Sequence, residues 1–173
     1  LIKRITILPQ PIASFNVSDV CFGDTAIFIN NTSYTSPQAS GTNTWDFDNG
    51  NTSFNSDPKE FYTSAGVYQP ELIVVSNEGC SDTFSTSFEV FEKPIAAFNF
   101  NDTCQNDTIE FLDESTVSGT ASITSHAWNF DNGNGSTDVN PREAFSSDGI
   151  FDVELIVETD EGCKDTVVNS VEI

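Results

Sequence analysis

Basic residues are scarce in this 173-residue chain: six Lys and Arg stand against 27 Asp and Glu, for a formal net charge of -21. A surface of that sign repels nucleic acid and anionic lipid, so neither is expected as a partner. It favours solubility, and a saline or calcium-containing medium screens its self-repulsion. Long hydrophobic runs are also missing. No stretch approaches the roughly 18–20 apolar residues of a membrane helix, which excludes insertion by that route. No window carries the stripe and cap of an amphipathic helix. The start lacks a charged-then-apolar leader, since residues 1–10 read as a strand; a chain that begins in mid-structure says nothing thereby about export. Histidine is nearly absent. His126 is the only one, and no positioned hydroxyl or oriented base identifies a Ser-His-Asp arrangement. The carboxylates are scattered over turns and strand edges, unlike a glycosidase pair facing across a cleft. The chain reads as a non-enzyme.

What is present is a repeat. Adding 83 to a position in the first half lands on the same residue type without a gap. Pro11-Ile12-Ala13 matches Pro94-Ile95-Ala96, Phe15 matches Phe98, and Cys21 matches Cys104. Trp45-Asp46-Phe47-Asp48-Asn49-Gly50 matches Trp128-Asn129-Phe130-Asp131-Asn132-Gly133, and Glu78-Gly79-Cys80 matches Glu161-Gly162-Cys163. His126 falls opposite Asn43, so no repeated site uses it. The division is therefore residues 1–10 as the last strand of a preceding copy, 11–93 as the first repeat and 94–173 as the second.

Within a copy the hydrophobic period is two, the signature of strands. Ile12, Ser14 and Asn16 alternate against Ala13, Phe15 and Val17. Residues 67–76 and 83–91 form a long hairpin about Asn77-Glu78-Gly79. About seven short strands in each copy, with 15 Phe in the chain to fill the cores, predict an all-β fold of two tandem immunoglobulin-like Greek-key β-sandwiches.

The run from Trp45 to Gly50, then Pro58, Gly66-Val67-Tyr68 and Leu72-Ile73-Val74, resembles the polycystic kidney disease (PKD) domain. That family's pattern is W-D-F-G-D-G, a Pro-x-x-x-Tyr segment and G-x-Y-x-V-x-L-x-V. Asp48 and Asp131 stand where the family usually has Gly, and Phe151 replaces Tyr68. A tyrosine-corner hydrogen bond is thus available only in the first copy. The resemblance implies that Trp45 and Trp128, with Phe47 and Phe130, are core and not ligand platforms. The added C-x-G/N-D-T and E-G-C-x-D-T signatures are similar to tandem repeats in large surface proteins of gliding and other Bacteroidota. Asp24-Thr25-Ala26, Asp107-Thr108-Ile109 and Asp165-Thr166-Val167 resemble the tripeptide those bacteria O-glycosylate, which makes Thr25, Thr108 and Thr166 candidate acceptors.

No cofactor is expected. Calcium is the one ion considered, through Asp46 and Asp48 or Asn129 and Asp131, but it wants six to eight oxygens and no local run has the spacing of a known loop. Four cysteines allow three pairings. Sandwich topology puts Cys21 at one end of a module and Cys80 about 30 Å away at the other, against about 7 Å for a disulfide. This favours Cys21–Cys163 between repeats, with Cys80 and Cys104 joined to further copies. The alternative, Cys21–Cys80 and Cys104–Cys163, stays open if the first strand is displaced.

The expected role is a structural repeat of a secreted, cell-surface protein, forming a stiff stalk or filament for adhesion or surface motility. Its partners are neighbouring repeats, lateral copies, and surface glycans or proteins. Pro94 after Glu92-Lys93 leaves almost no linker. The alternatives are a carbohydrate- or protein-binding module using the loops at 34–42 and 117–124, or an accessory domain of a secreted hydrolase.

Overall fold

In the computed structural model, residues 8–36, 39–101 and 108–173 are described. All regular structure among them is β, and no helix is long and apolar enough to cross a membrane. The chain divides into two compact units at Val90/Phe91. Residues 1–7, assigned from sequence to a preceding copy, lie outside the described residues.

In the first unit a four-stranded sheet runs in the order Ser81–Ser85, Glu71–Ser76, Gly41–Asp46, Thr52–Ser53. The opposing layer is built from short pairs. Phe15–Asn16 lies on Ile29–Asn30, and Thr25–Ile27 lies on Lys59–Phe61. Between the layers the period-two pattern delivers its inward set: Ala13, Phe15, Ala26, Phe28, Trp45, Phe47, Leu72 and Val74 form one core. Ile12, Ile27 and Ile29 face outward, as alternation along a half-buried strand requires.

The second unit repeats the plan. Its four-stranded sheet is Gly135–Ser136, Ile123–Asn129, Ile150–Thr159, Lys164–Glu172, opposed by Phe98–Phe100, Thr108–Asp113 and Arg142–Ala144. Phe98, Phe111, Trp128, Phe130, Leu155 and Val157 fill the core. Phe47 stacks on Trp45 at an interplanar angle of 11°, and Phe130 on Trp128 at 12°. Each indole Nε1 donates to a carbonyl ten residues on, Asn55 and Asp138, at 2.9 Å in both cases. The ring is thereby buried without an orphaned N–H.

The expected 67–76/83–91 hairpin is irregular in the first unit, where its second strand divides into Ser81–Ser85 and Phe88–Phe91 in different sheets. Two further irregularities have local causes. In the first unit the strand preceding the Asn77 turn is interrupted between Tyr68 and Glu71, where buried Pro70 has no N–H to give the ladder. Its counterpart Val153 pairs with Asn169, and there the strand is continuous. In the second unit a bulge between Ile123 and Ser125 shifts the register at the end of the Trp128 strand.

Candidate functional site

The sequence points to three places: the turn after each Trp, the Asp-Thr signatures, and the cysteines at the module ends.

The Trp turn is held by side chains rather than opened to a ligand. Asp48 lies at φ 60° and Asp131 at φ 57°, in the left-handed region. The Asp48 amide donates to Asp46 Oδ1 at 2.9 Å, and Asp48 Oδ2 accepts the Gln69 amide at 2.9 Å. In the second unit Asn129 Oδ1 and Asp131 Oδ2 accept from the Asp131 and Asp152 amides. Glu60 Oε1 receives the side-chain amides of Asn49 and Asn51 at 2.9 and 2.6 Å; Glu143 does the same for Asn132 and Asn134. The oxygens considered for calcium therefore already brace backbone. Among the described residues no group of three or more His, Cys, Asp or Glu side chains comes together as a metal would require.

The carboxylate in each E-G-C-x-D-T signature has a structural task that sequence reading missed. Asp82 Oδ2 accepts the Ala13 amide at 2.8 Å, and Asp165 Oδ2 accepts the Ala96 amide at 2.9 Å. The start of the last strand is thus clipped to the start of the first across 69 residues. Thr25, Thr108 and Thr166 are all exposed on strands, and Asp107 lies outside the described residues.

His126, the residue without a repeated partner, is half of a nearly buried pair: its Nε2 sits 2.9 Å from Asp113 Oδ2, with side chains 9% and 11% exposed. Burial works to raise the Asp113 carboxyl. Hydrogen bonds from Ser115 and His126 outweigh it, so its pKa falls below the ordinary value. Tyr62 moves the other way. Burial, helped by the nearby Glu60 carboxylate, raises its phenol well above 10, and its hydroxyl donates to the Phe47 carbonyl at 3.0 Å. Tyr68 Oη donates to the Ser64 carbonyl at 2.9 Å, the corner bond expected of the first copy. Phe145 and Phe151 hold the matching positions, with ring centroids 4.6 Å apart and no hydroxyl.

Cys80 and Cys163 occupy identical turns. The Cys80 amide donates to Ser76 Oγ and its carbonyl accepts the Ser76 amide; Cys163 does the same with Thr159. Gly79 and Gly162 supply the positive φ, 88° and 82°. Their covalent states differ. Cys163 is disulfide-bonded and fully buried, whereas Cys80 is a free thiol, partly exposed. Cys21 is disulfide-bonded too. Its strand Val20–Cys21 lies against Phe88–Phe91, where the Glu89 amide donates to Asp19 Oδ1 at 2.6 Å. Cys80 precedes Ser81–Ser85, a strand of the four-stranded sheet, whereas Phe88–Phe91 belongs to a separate three-stranded sheet. The alternative bond Cys21–Cys80 is absent, since Cys80 is a free thiol. Cys104 lies outside the described residues.

The sequence pattern of the PKD domain matches residues 9–92 and again 91–173. The chain belongs to the PKD family. Its folds are similar to the PKD1 domain of Vibrio anguillarum Epp, at 25% identity over 47% of this chain and 93% of that one, with a TM-score of 0.44. The PKD1 domain from the Vibrio cholerae metalloprotease PrtV is 31% identical over 47% and 96%, with a TM-score of 0.43. Clostridium thermocellum CbhA fibronectin(III)-like modules match 94% of this chain and 93% of theirs, at 12% identity and a TM-score of 0.47. No curated protein matches the chain. PKD domains are typically non-catalytic extracellular modules, and the disulfide-bonded cysteines suit an oxidising compartment. Against the PKD pattern the Asp48 geometry acquires a reason: its left-handed φ is what the family's usual Gly provides at no steric cost.

Proposed function

We propose that this PKD pair is a structural segment of a secreted, cell-surface protein, a stiff stalk or filament element serving adhesion or surface motility. The observation that carries the reading is the state of the cysteines: Cys21 and Cys163 are bonded while Cys80, in Cys163's own turn, is free. In this reading Cys21 joins Cys163 across the repeat boundary. The bond closes a loop of well over 100 residues, for which the chain-entropy account gives on the order of 4–5 kcal/mol. Supporting it, only three residues separate Phe91, the end of one strand, from Ile95, the first paired residue of the second unit. One of them is buried Pro94, which fixes its own φ.

A non-reducing digest of the oxidised pair is expected to yield a Cys21–Cys163 peptide. Small-angle scattering should then show a narrow size distribution that broadens on reduction. A digest without that peptide overturns the staple, and a broad distribution before reduction overturns stiffness.

The exposed Thr25, Thr108 and Thr166 are proposed as O-glycan acceptors, read out as discrete added masses on protein taken from its source cell. Trp45 and Trp128 are 0% and 4% exposed, core as expected, so a carbohydrate-binding reading would rest on the loops at 34–42 and 117–124.

A further inference from the structure

The turn after each Trp holds a reactive dipeptide and a restraint on it. Asn49-Gly50-Asn51 and Asn132-Gly133-Asn134 are the same three residues in both copies. An Asn followed by Gly is where a chain closes on its own side chain most readily, because the second residue has no Cβ to hinder the approach. Both side chains are held at each end. Asn49 Oδ1 accepts the Asn51 amide at 3.0 Å, and Asn49 Nδ2 donates to Glu60 Oε1 at 2.9 Å. Asn132 makes the same two bonds, to the Asn134 amide at 3.0 Å and to Glu143 Oε1 at 2.9 Å. A nitrogen on a carboxylate and an oxygen on an N–H fix which way round each amide sits. We propose that Asn49 and Asn132 are deamidation sites of this protein, and that Glu60 and Glu143 keep them unreacted by gripping the nitrogen that has to leave.

The step needs only water. The Gly50 amide nitrogen attacks Asn49 Cγ, the N–Cγ bond forms and the Cγ–Nδ2 bond breaks. Nδ2 leaves as ammonia, taking the proton that the backbone amide gives up. Water then opens the cyclic imide at either carbonyl, leaving Asp or its β-linked isomer. Gly50 and Gly133 are exposed with open space about them, so water reaches the ring. Closure brings Cγ to the backbone and carries Nδ2 away, which breaks both bonds that hold the side chain. The product sets a second carboxylate against Glu60 or Glu143, and the like charges push the turn apart. The second copy holds one more such step, Asn134-Gly135, where the first has Asn51-Thr52. Asn134 Nδ2 donates to the same Glu143 oxygen at 2.7 Å.

The test ages the whole chain and its Glu60→Ala, Glu60→Gln and Glu143→Ala variants in mildly alkaline buffer below their melting transitions. Mass spectrometry of digests then measures Asp and its isomer at each Asn. Glu60→Ala is expected to speed deamidation at Asn49 about tenfold, as the loss of one hydrogen bond to a charged group implies, and to leave Asn132 unchanged. Glu60→Gln, which keeps an acceptor oxygen, is expected to fall between that variant and the parent. Glu143→Ala is expected to release both Asn132 and Asn134, where Glu60→Ala releases Asn49 alone. An Asn49 rate in Glu60→Ala equal to the parent's overturns the grip. A slower rate overturns it too, since the carboxylate would then promote the reaction. Tryptophan fluorescence reports whether the first unit stays folded. If Glu60→Ala unfolds it, Glu60→Gln carries the test, and a Glu60→Gln rate equal to the parent's overturns the proposal.

Discussion

At the scale of the residue, Asp48 balances a cost against a bond. A side chain at φ 60° is strained, and the bond from the Gln69 amide to Asp48 Oδ2 offsets that strain. Asp48→Ala keeps the strain and removes the bond, so it is expected to destabilise the first unit by about 1–2 kcal/mol. Asp48→Gly removes both and is expected to stay within about 0.5 kcal/mol of the parent. Urea titration of the two variants checks the difference. Tyr62 sets an alkaline limit. Its folded pKa lies above the ordinary 10.0, so its contribution is complete below pH 10 and is lost as pH climbs through the folded value. Tyr62→Phe, which installs the residue found at position 145, is expected to flatten the alkaline limb of the first unit's stability. Thermal melts across that range, with the second unit as internal control, would show it.

At the scale of the element, the Ala13–Asp82 clip joins first strand to last. Asp82→Ala leaves the nearly buried Ala13 amide without a partner, at an expected cost of about 1–3 kcal/mol. Hydrogen exchange should speed at residues 12–16 before the core strands respond. The clip was not legible in the sequence, where Asp82 appeared only as part of the E-G-C-x-D-T signature. What alternates along one strand shows in a single sequence; what meets across 69 residues depends on sheet order and register. The Glu60 and Glu143 braces and the Asp113–His126 pair escaped for that reason. The Trp–Phe cores, the glycine turns and the first-copy tyrosine corner were readable because period, turn residues and family pattern all act locally. The interruption at Pro70 was readable in principle: a proline inside a strand pattern announces a missing ladder bond.

At the scale of the molecule, the charge of -21 opposes compactness by self-repulsion that salt screens. The melting temperature is expected to rise between low and physiological ionic strength, by calorimetry, and a flat response would show the carboxylates too well spaced to repel. The Trp–Phe centres of the two cores agree, while the outward sheet faces differ between copies. Ile27 and Lys59 are paired on the first, whereas Glu110 and Arg142 form an ion pair at 2.9 Å on the second. The Trp–Phe centre is thus shared, and the outer face diverges between copies.

The first-strand contacts of the first copy carry a mechanical corollary. Ala13 meets Asp82 and Asp19 meets Glu89, so the opening and closing segments of that bead run in the same direction. Tension applied at its two termini slides these segments past one another and loads their contacts in shear, all together, instead of unzipping them singly. Such a bead should yield abruptly under a pulling probe, at higher force than a hairpin peeled from one end.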